Sequence, residues 1–173
     1  TLPPARDLQL TGDAKRHKNF IRLTKAREYQ GGSVWRREKQ YVRGGFDTYF
    51  SFRFTDPGGL GQGADGLAFV VQNSGPNALG GIGGAGGFMH GNGDERGSRD
   101  GIPFSLAVFF DSFRNGEIGD PSDNALHISV NGRPSDLQWP PSRLAVIPRL
   151  RPILKDRREH NARVSYKPPL LSV

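Results

Sequence analysis

The 173-residue chain has no cysteine. That excludes disulfides, thiolate metal sites and cysteine catalysis, so packing, hydrogen bonds or a non-thiolate metal must hold the fold. It has no apolar run of the roughly 18 residues that a membrane helix needs, so no membrane span is expected. No segment keeps a helical period beyond about two turns, and there is no internal repeat. The histidines His17, His90 and His160 show no His-x-His or His-Glu-x-x-His spacing, which argues against zinc. No Gly-x-Ser-x-Gly elbow occurs, and the glycine-rich stretch lacks the Lys-Ser/Thr of a phosphate cradle. Helix-turn-helix, zinc-finger and aromatic RNA-binding patterns are also missing, so no nucleic-acid partner is expected.

Glycine and proline, by contrast, are abundant (24 and 13 residues). They follow no collagen-like period, and a turn-rich β domain results. The length fits one domain with a single core. The net charge is +7, but the positive groups fall in separate clusters: Lys15-Arg16-His17-Lys18, Lys25 with Arg27, Arg36-Arg37, and Arg157-Arg158. Glu28, Glu38, Asp156 and Glu159 interrupt them, as expected of solvated strand and loop faces; the alternative is a patch for anionic glycans or phosphates. The chain begins at Thr1, and Leu2 to Asp7 is too polar and Pro-rich for a signal peptide. A removed targeting segment, which would favour export, and an excised domain are the two readings.

The clearest period runs from Phe46 to Thr55. Phe46, Phe50, Phe52 and Phe54 share one parity and Asp47, Ser51, Arg53 and Thr55 the other, so a strand with one aromatic and one polar face is predicted, ending at Asp56-Pro57-Gly58-Gly59. The short apolar runs Leu67–Val71 and Leu106–Phe110 predict strands buried on both faces. Weaker strands are expected at Phe20–Leu23, Ser33–Trp35, Lys39–Val42, His127–Val130 and Ala162–Tyr166. Turn signals recur at the spacing of a sandwich or barrel. One long irregular region, Asn73 to Pro103, holds eleven glycines, which predicts close backbone approach or turns with φ > 0.

The best candidate for chemistry is Asp111-Ser112-Phe113-Arg114-Asn115 with Gly119-Asp120-Pro121. It starts where the apolar strand ends, and the turn can fold Asp120 back towards Asp111. Two carboxylates, an amide oxygen and a backbone carbonyl are the hard donors that calcium prefers, though the spacing is not that of an EF-hand. Asx turns capping a β-loop are the alternative.

Ala64-Asp65-Gly66-Leu67-Ala68-Phe69-Val70-Val71-Gln72, Ala78-Leu79-Gly80-Gly81, Gly83-Gly84-Ala85-Gly86-Gly87, Ser105 to Asn115, and Asp120-Pro121 together resemble the legume-type (L-type) lectins, in that family's order and roughly its spacing. The resemblance implies an all-β, concanavalin-like jelly-roll sandwich of two antiparallel sheets, with sugar bound by loops at the edge of the concave face. It implies that Asp65 is the sugar-binding carboxylate, preceded by a cis peptide, and that Gly84, or alternatively Gly83, offers a backbone N–H to the sugar. Asn115 would ligate calcium and hydrogen-bond the sugar; Phe113 would ligate through its carbonyl and stack its ring on the sugar. Asp111 and Asp120 would complete the protein part of the Ca²⁺ shell. The expected function is calcium-dependent binding of mannose- or glucose-type glycans without catalysis, with glycans or glycoproteins as partners, in a secreted, extracellular or secretory-pathway setting. The alternative is a structural or adhesive jelly roll with a degenerate sugar site, contacting protein or anionic polymer through its basic surface.

Several departures from the family pattern accompany the resemblance. Plant members carry a transition-metal Glu where this chain has Phe109, so the second ion is expected to be weak or absent; the Phe-Phe-Asp-Ser-Phe run looks like the animal cargo-receptor branch. His127 stands near the family's transition-metal histidine but about two residues further along, either as a ligand or as a strand histidine. The segment His90–Asp100, with Asp94, Glu95, Arg96 and Arg99, looks like an inserted surface excursion. Glucanases of the same fold use a Glu-x-Asp-x-x-Glu strand that is absent here. Trp35 and Trp139 are expected to pack. The chain reads as one domain over residues 1–173 that lacks the family's last strands: a second chain or a homo-oligomer would supply them, they were lost by truncation or disorder, or this variant closes its sheets differently.

Overall fold

The computed structural model describes residues 2–56, 63–91, 100–116, 119–132 and 143–173. Among them the strands are β1 (Leu8–Gly12), β2 (Lys15–Arg16), β3 (Ile21–Arg22), β4 (Gly32–Arg36), β5 (Phe46–Phe52), β6 (Gly66–Gln72), β7 (Ser105–Asp111), β8 (Ala125–Val130), β9 (Arg143–Ile147), β10 (His160–Lys167) and β11 (Leu170–Ser172). Helical structure among the described residues is confined to short 3-10 segments, Ala5–Asp7 and Gly83–Ala85 among them. No helix among the described residues is long and apolar enough to cross a membrane.

Side-chain alternation along β5 has the consequence its sequence implies. Phe46, Phe50 and Phe52 turn inward while Asp47, Tyr49 and Ser51 are exposed. β5 pairs antiparallel with β10, and β10 with β11, giving one sheet; β6, β7, β8 and β9 pair antiparallel in that order to give the other. The first sheet presents Phe52, Ala162 and Val164, and the second presents Val108, Phe110 and Leu126, to one shared core. Aromatic rings lock it, with Phe50 edge-on to Phe110 at 6.1 Å and stacked on Phe69 at 5.6 Å. β1 with β4 and β2 with β3 form two separate ribbons.

The opposite parity of β7 faces a second core. Ala107 and Phe109 pack there with Ala85, Phe88, Met89 and Ile102, all from or beside the glycine-rich region. That region is therefore a folded cover. Gly80 N–H donates to Gly87 O (2.7 Å) and Gly81 N–H to Met89 O (2.8 Å). A Cβ on Gly80 would come within 2.6 Å of the Phe88 backbone, so the close approach itself demands glycine. Trp35 packs against this core, and its Nε1–H reaches Ala78 O at 2.8 Å, as expected of a structural tryptophan.

The structure corrects several strand expectations. Lys39–Val42 forms no strand: it has no pairing partner, and Tyr41 is exposed. β1 and β9 were not foreseen. β6 is half-buried rather than buried on both faces, because it lies at the edge of its sheet among the described residues. Trp139 and positions 92–99, which hold most of the expected insertion, lie outside the described residues, while its flanks His90 and Asp100 approach to 3.7 Å.

Candidate functional site

β7 delivers Asp111 to the face it shares with Ala107 and Phe109, and β8 delivers His127 to the same face, directly across from Phe109. The loop after β7 folds back on itself. Phe113 N–H donates to Asp111 Oδ1 (3.0 Å), and Asn115 N–H donates to Asp120 Oδ2 (3.1 Å). Asx-type turns and a clustered donor set are thus the same arrangement. Asp111, Asp120 and His127 are all buried, with ligand atoms within 4.8 Å of one another. Asp111 Oδ2 lies 3.0 Å from His127 Nε2, and Asp120 Oδ1 lies 3.7 Å from it.

Two buried carboxylates of like charge repel each other, and Arg143 Nη2 stands 3.1 Å from Asp120 Oδ1. Burial first, and then the charge of Asp111, push Asp120 up to about 6, against the opposing influence of the Asn115 N–H, His127 and Arg143. A calcium ion would remove both penalties. Oxygen donors in a loop of this kind fit such an ion: the two carboxylates, the Asn115 amide and the Phe113 carbonyl.

Above this pair the sugar-site candidates converge. The Ala64–Asp65 peptide is cis. Asp65 O accepts hydrogen bonds from Ser112 N–H (2.8 Å) and Ser112 Oγ (3.0 Å), so the residue after Asp111 fixes the Asp65 loop. Lys155 Nζ holds the same loop through Gly63 O at 3.1 Å. A Cβ on Gly83 would sit 3.8 Å from Asp65 Oδ2, and one on Gly84 would press on the Asn115 carboxamide at 2.9–3.1 Å. Asp65 thus stands beside Gly83, and Asn115 against the neighbouring Gly84, with half-buried Phe113 in the loop that carries Asn115. A carboxylate, an amide and a glycine backbone within reach of one small molecule can grip vicinal hydroxyls. The buried pair beneath is closed off from a substrate, so it cannot act as acid and nucleophile.

A family model for the legume lectin domain matches residues 2–169. The chain belongs to the legume lectin family. No individual curated protein matches it significantly. Legume lectins bind carbohydrate without catalysis and typically hold Ca²⁺ and a transition metal. The antiparallel sandwich described above is the jelly roll of that family.

Three site residues of this lectin carry no sequence signal. Ser112 and Lys155 act through backbone carbonyls distant in sequence. Arg143 reaches Asp120 from β9, with Nη2 3.1 Å from Oδ1, a contact that only strand register creates. The remaining histidines stand elsewhere: His17 stacks on Phe20 at 4.6 Å, and His160 Nε2 contacts Leu154 O and Asp156.

Proposed function

We propose that the chain is a calcium-dependent carbohydrate-binding module for mannose- or glucose-type glycans, without enzymatic activity. The observation that carries this reading is the convergence of Asp65, Gly84 and Asn115 over the buried pair Asp111 and Asp120. Calcium held by Asp111, the Phe113 carbonyl, Asn115 and Asp120 would fix the Asn115 amide, so that a sugar meets a pre-organised site and binding loses less entropy. Asp65 accepts from two adjacent hydroxyls, the Gly84 N–H and Asn115 amide donate, and the Phe113 ring covers an apolar sugar face. Affinity for one monosaccharide is expected near ~1 mM, roughly −4 kcal/mol, so biological avidity comes from several sites or a larger glycan.

Isothermal calorimetry with mannose and glucose oligosaccharides tests the reading. Binding should require calcium, vanish with chelator and vanish in Asp65→Ala. Binding that survives both changes would overturn it, and salt-sensitive association without sugar binding would favour the degenerate, adhesive module. A secretory-pathway or extracellular setting, with glycoproteins as partners, suits such a site. We further propose that the chain forms one domain whose exposed β9 edge, with Leu144, Val146 and Ile147, is covered by a second chain or another copy. Light scattering that finds only monomer at high concentration would count against self-association.

A further inference from the structure

The transition-metal position of the family is one donor short in this chain, and Arg143 lines what space is left in it. Three donors are present, Asp111, Asp120 and His127, but the residue directly across from His127 is Phe109, whose side chain cannot ligate. The Phe109 ring is held between glycines, since a Cβ on Gly66 or on Gly86 would strike it at 2.7 or 2.6 Å, and it lies 6.1 Å from the His127 ring. What space remains between Met89, Phe109, Asp120, His127, Ser129 and Arg143 is a cavity of about 10 Å³, barely room for one water.

The histidine is also wrongly supported for a ligand. A metal-binding imidazole normally donates its second N–H to a carboxylate or carbonyl. Here Nδ1 is buried without a hydrogen-bond partner among the described residues. Nε2 instead lies 3.0 Å from Asp111 Oδ2, in direct contact with the carboxylate.

A cation is nonetheless supplied, by the protein itself. The bulge between Ile128 and Ser129 sets Arg143 opposite Ser129 at the start of β9. From there Nη2 contacts Asp120 Oδ1 at 3.1 Å, and Nη1 donates to Gly119 O at 3.1 Å. Charge arithmetic then favours one metal. Asp111, Asp120 and Arg143 sum to −1, one calcium brings the site to +1, and a second dication would bring it to +3 in a largely buried setting, which is costly.

We propose that the Arg143 guanidinium takes the place of the second metal ion, positioning Asp120 and keeping the lectin a single-metal, calcium-only protein. This rests on the calcium reading above. Arg143 is a positioning residue, since it acts on the ion through Asp120.

The test uses the full chain, stripped with chelator and dialysed against saturating calcium with added manganese. Bound metals are counted by elemental analysis, and manganese also by electron paramagnetic resonance. Wild type should take up one calcium and no manganese. Arg143→Gln keeps a donor for Asp120 but removes the charge, and should gain up to one manganese, lost again when His127→Ala is added. Arg143→Lys keeps the charge and should exclude manganese as wild type does. Manganese in wild type alongside calcium overturns the proposal, and so does its absence from folded Arg143→Gln. The calcium column judges the reading beneath separately: no calcium in any variant sinks that reading, while the manganese comparison still decides the role of Arg143.

Discussion

Gly84 and Gly86 stand two residues apart in one turn but are constrained by different neighbours. At Gly84 the nearest obstacle to a Cβ among the described residues is the Asn115 carboxamide. Gly84→Ala should therefore displace the amide that we propose binds sugar while the fold stays intact: calorimetry should show at least about a tenfold weaker sugar affinity, roughly 1.4 kcal/mol, with little change in melting temperature. At Gly86 the backbone has φ +58° and the Phe109 ring is 2.6 Å from the added carbon. Gly86→Ala should cost about 1–3 kcal/mol of stability, read from a denaturant midpoint, by strain and overpacking together. Asp120 makes a third prediction. Its folded value of about 6 exceeds its ordinary 3.8 because burial and Asp111 disfavour the anion. In the metal-free chain its contribution to stability is full below 3.8 and is lost as pH rises through about 6. Calcium needs the anion, so the dependence reverses: calcium affinity should rise by up to about tenfold per pH unit up to about pH 6 and level off above, as titrations across that range would show.

β7 has two jobs on two faces, and its substitutions separate accordingly. Phe110 is buried among Phe50, Phe52 and Phe69 of the sandwich core, so Phe110→Ala should cost about 3–5 kcal/mol in denaturant unfolding. Tyr49 on β5 is exposed, with Arg163 over its ring at 5.2 Å, and Tyr49→Ala should change stability by less than about 1 kcal/mol. The same contrast explains which elements were legible. β5 and β7 were readable because their apolar residues repeat at the strand period or run without a break, and each pattern mirrors its own burial. β9 was not, because most of its apolar residues face solvent and its existence comes from pairing with β8. Lys39–Val42 had a strand-like composition without a partner strand. At the site, Asp111, Asn115 and Asp120 stood out as a punctuated acidic and amide motif beyond a strand end, and Asp65 through the family resemblance. Arg143, Ser112 and Lys155 are ordinary polar residues whose roles arise from contacts 23, 47 and 92 positions away in the sequence.

At the scale of the whole molecule, calcium held as proposed by the buried acid pair would link metal occupancy to fold stability. At a calcium concentration about 100-fold above its dissociation constant the folded state should gain about 2.7 kcal/mol. For a chain of this size that is roughly 5–10 °C in melting temperature, measurable by calorimetric scans with calcium and with chelator. The gain should be lost in Asp111→Asn, which removes a ligand charge at a fully buried position. The Ser112 contacts to the Asp65 carbonyl, one residue beyond Asp111, make the two ligands partners in a thermodynamic cycle. Such a cycle closes only if influence runs both ways: whatever factor calcium contributes to sugar affinity, a bound glycan must return to calcium affinity. A lectin molecule engaged on a glycan would then keep its ion at calcium concentrations where a free one releases it, so that the carbohydrate acts as an effector of the metal.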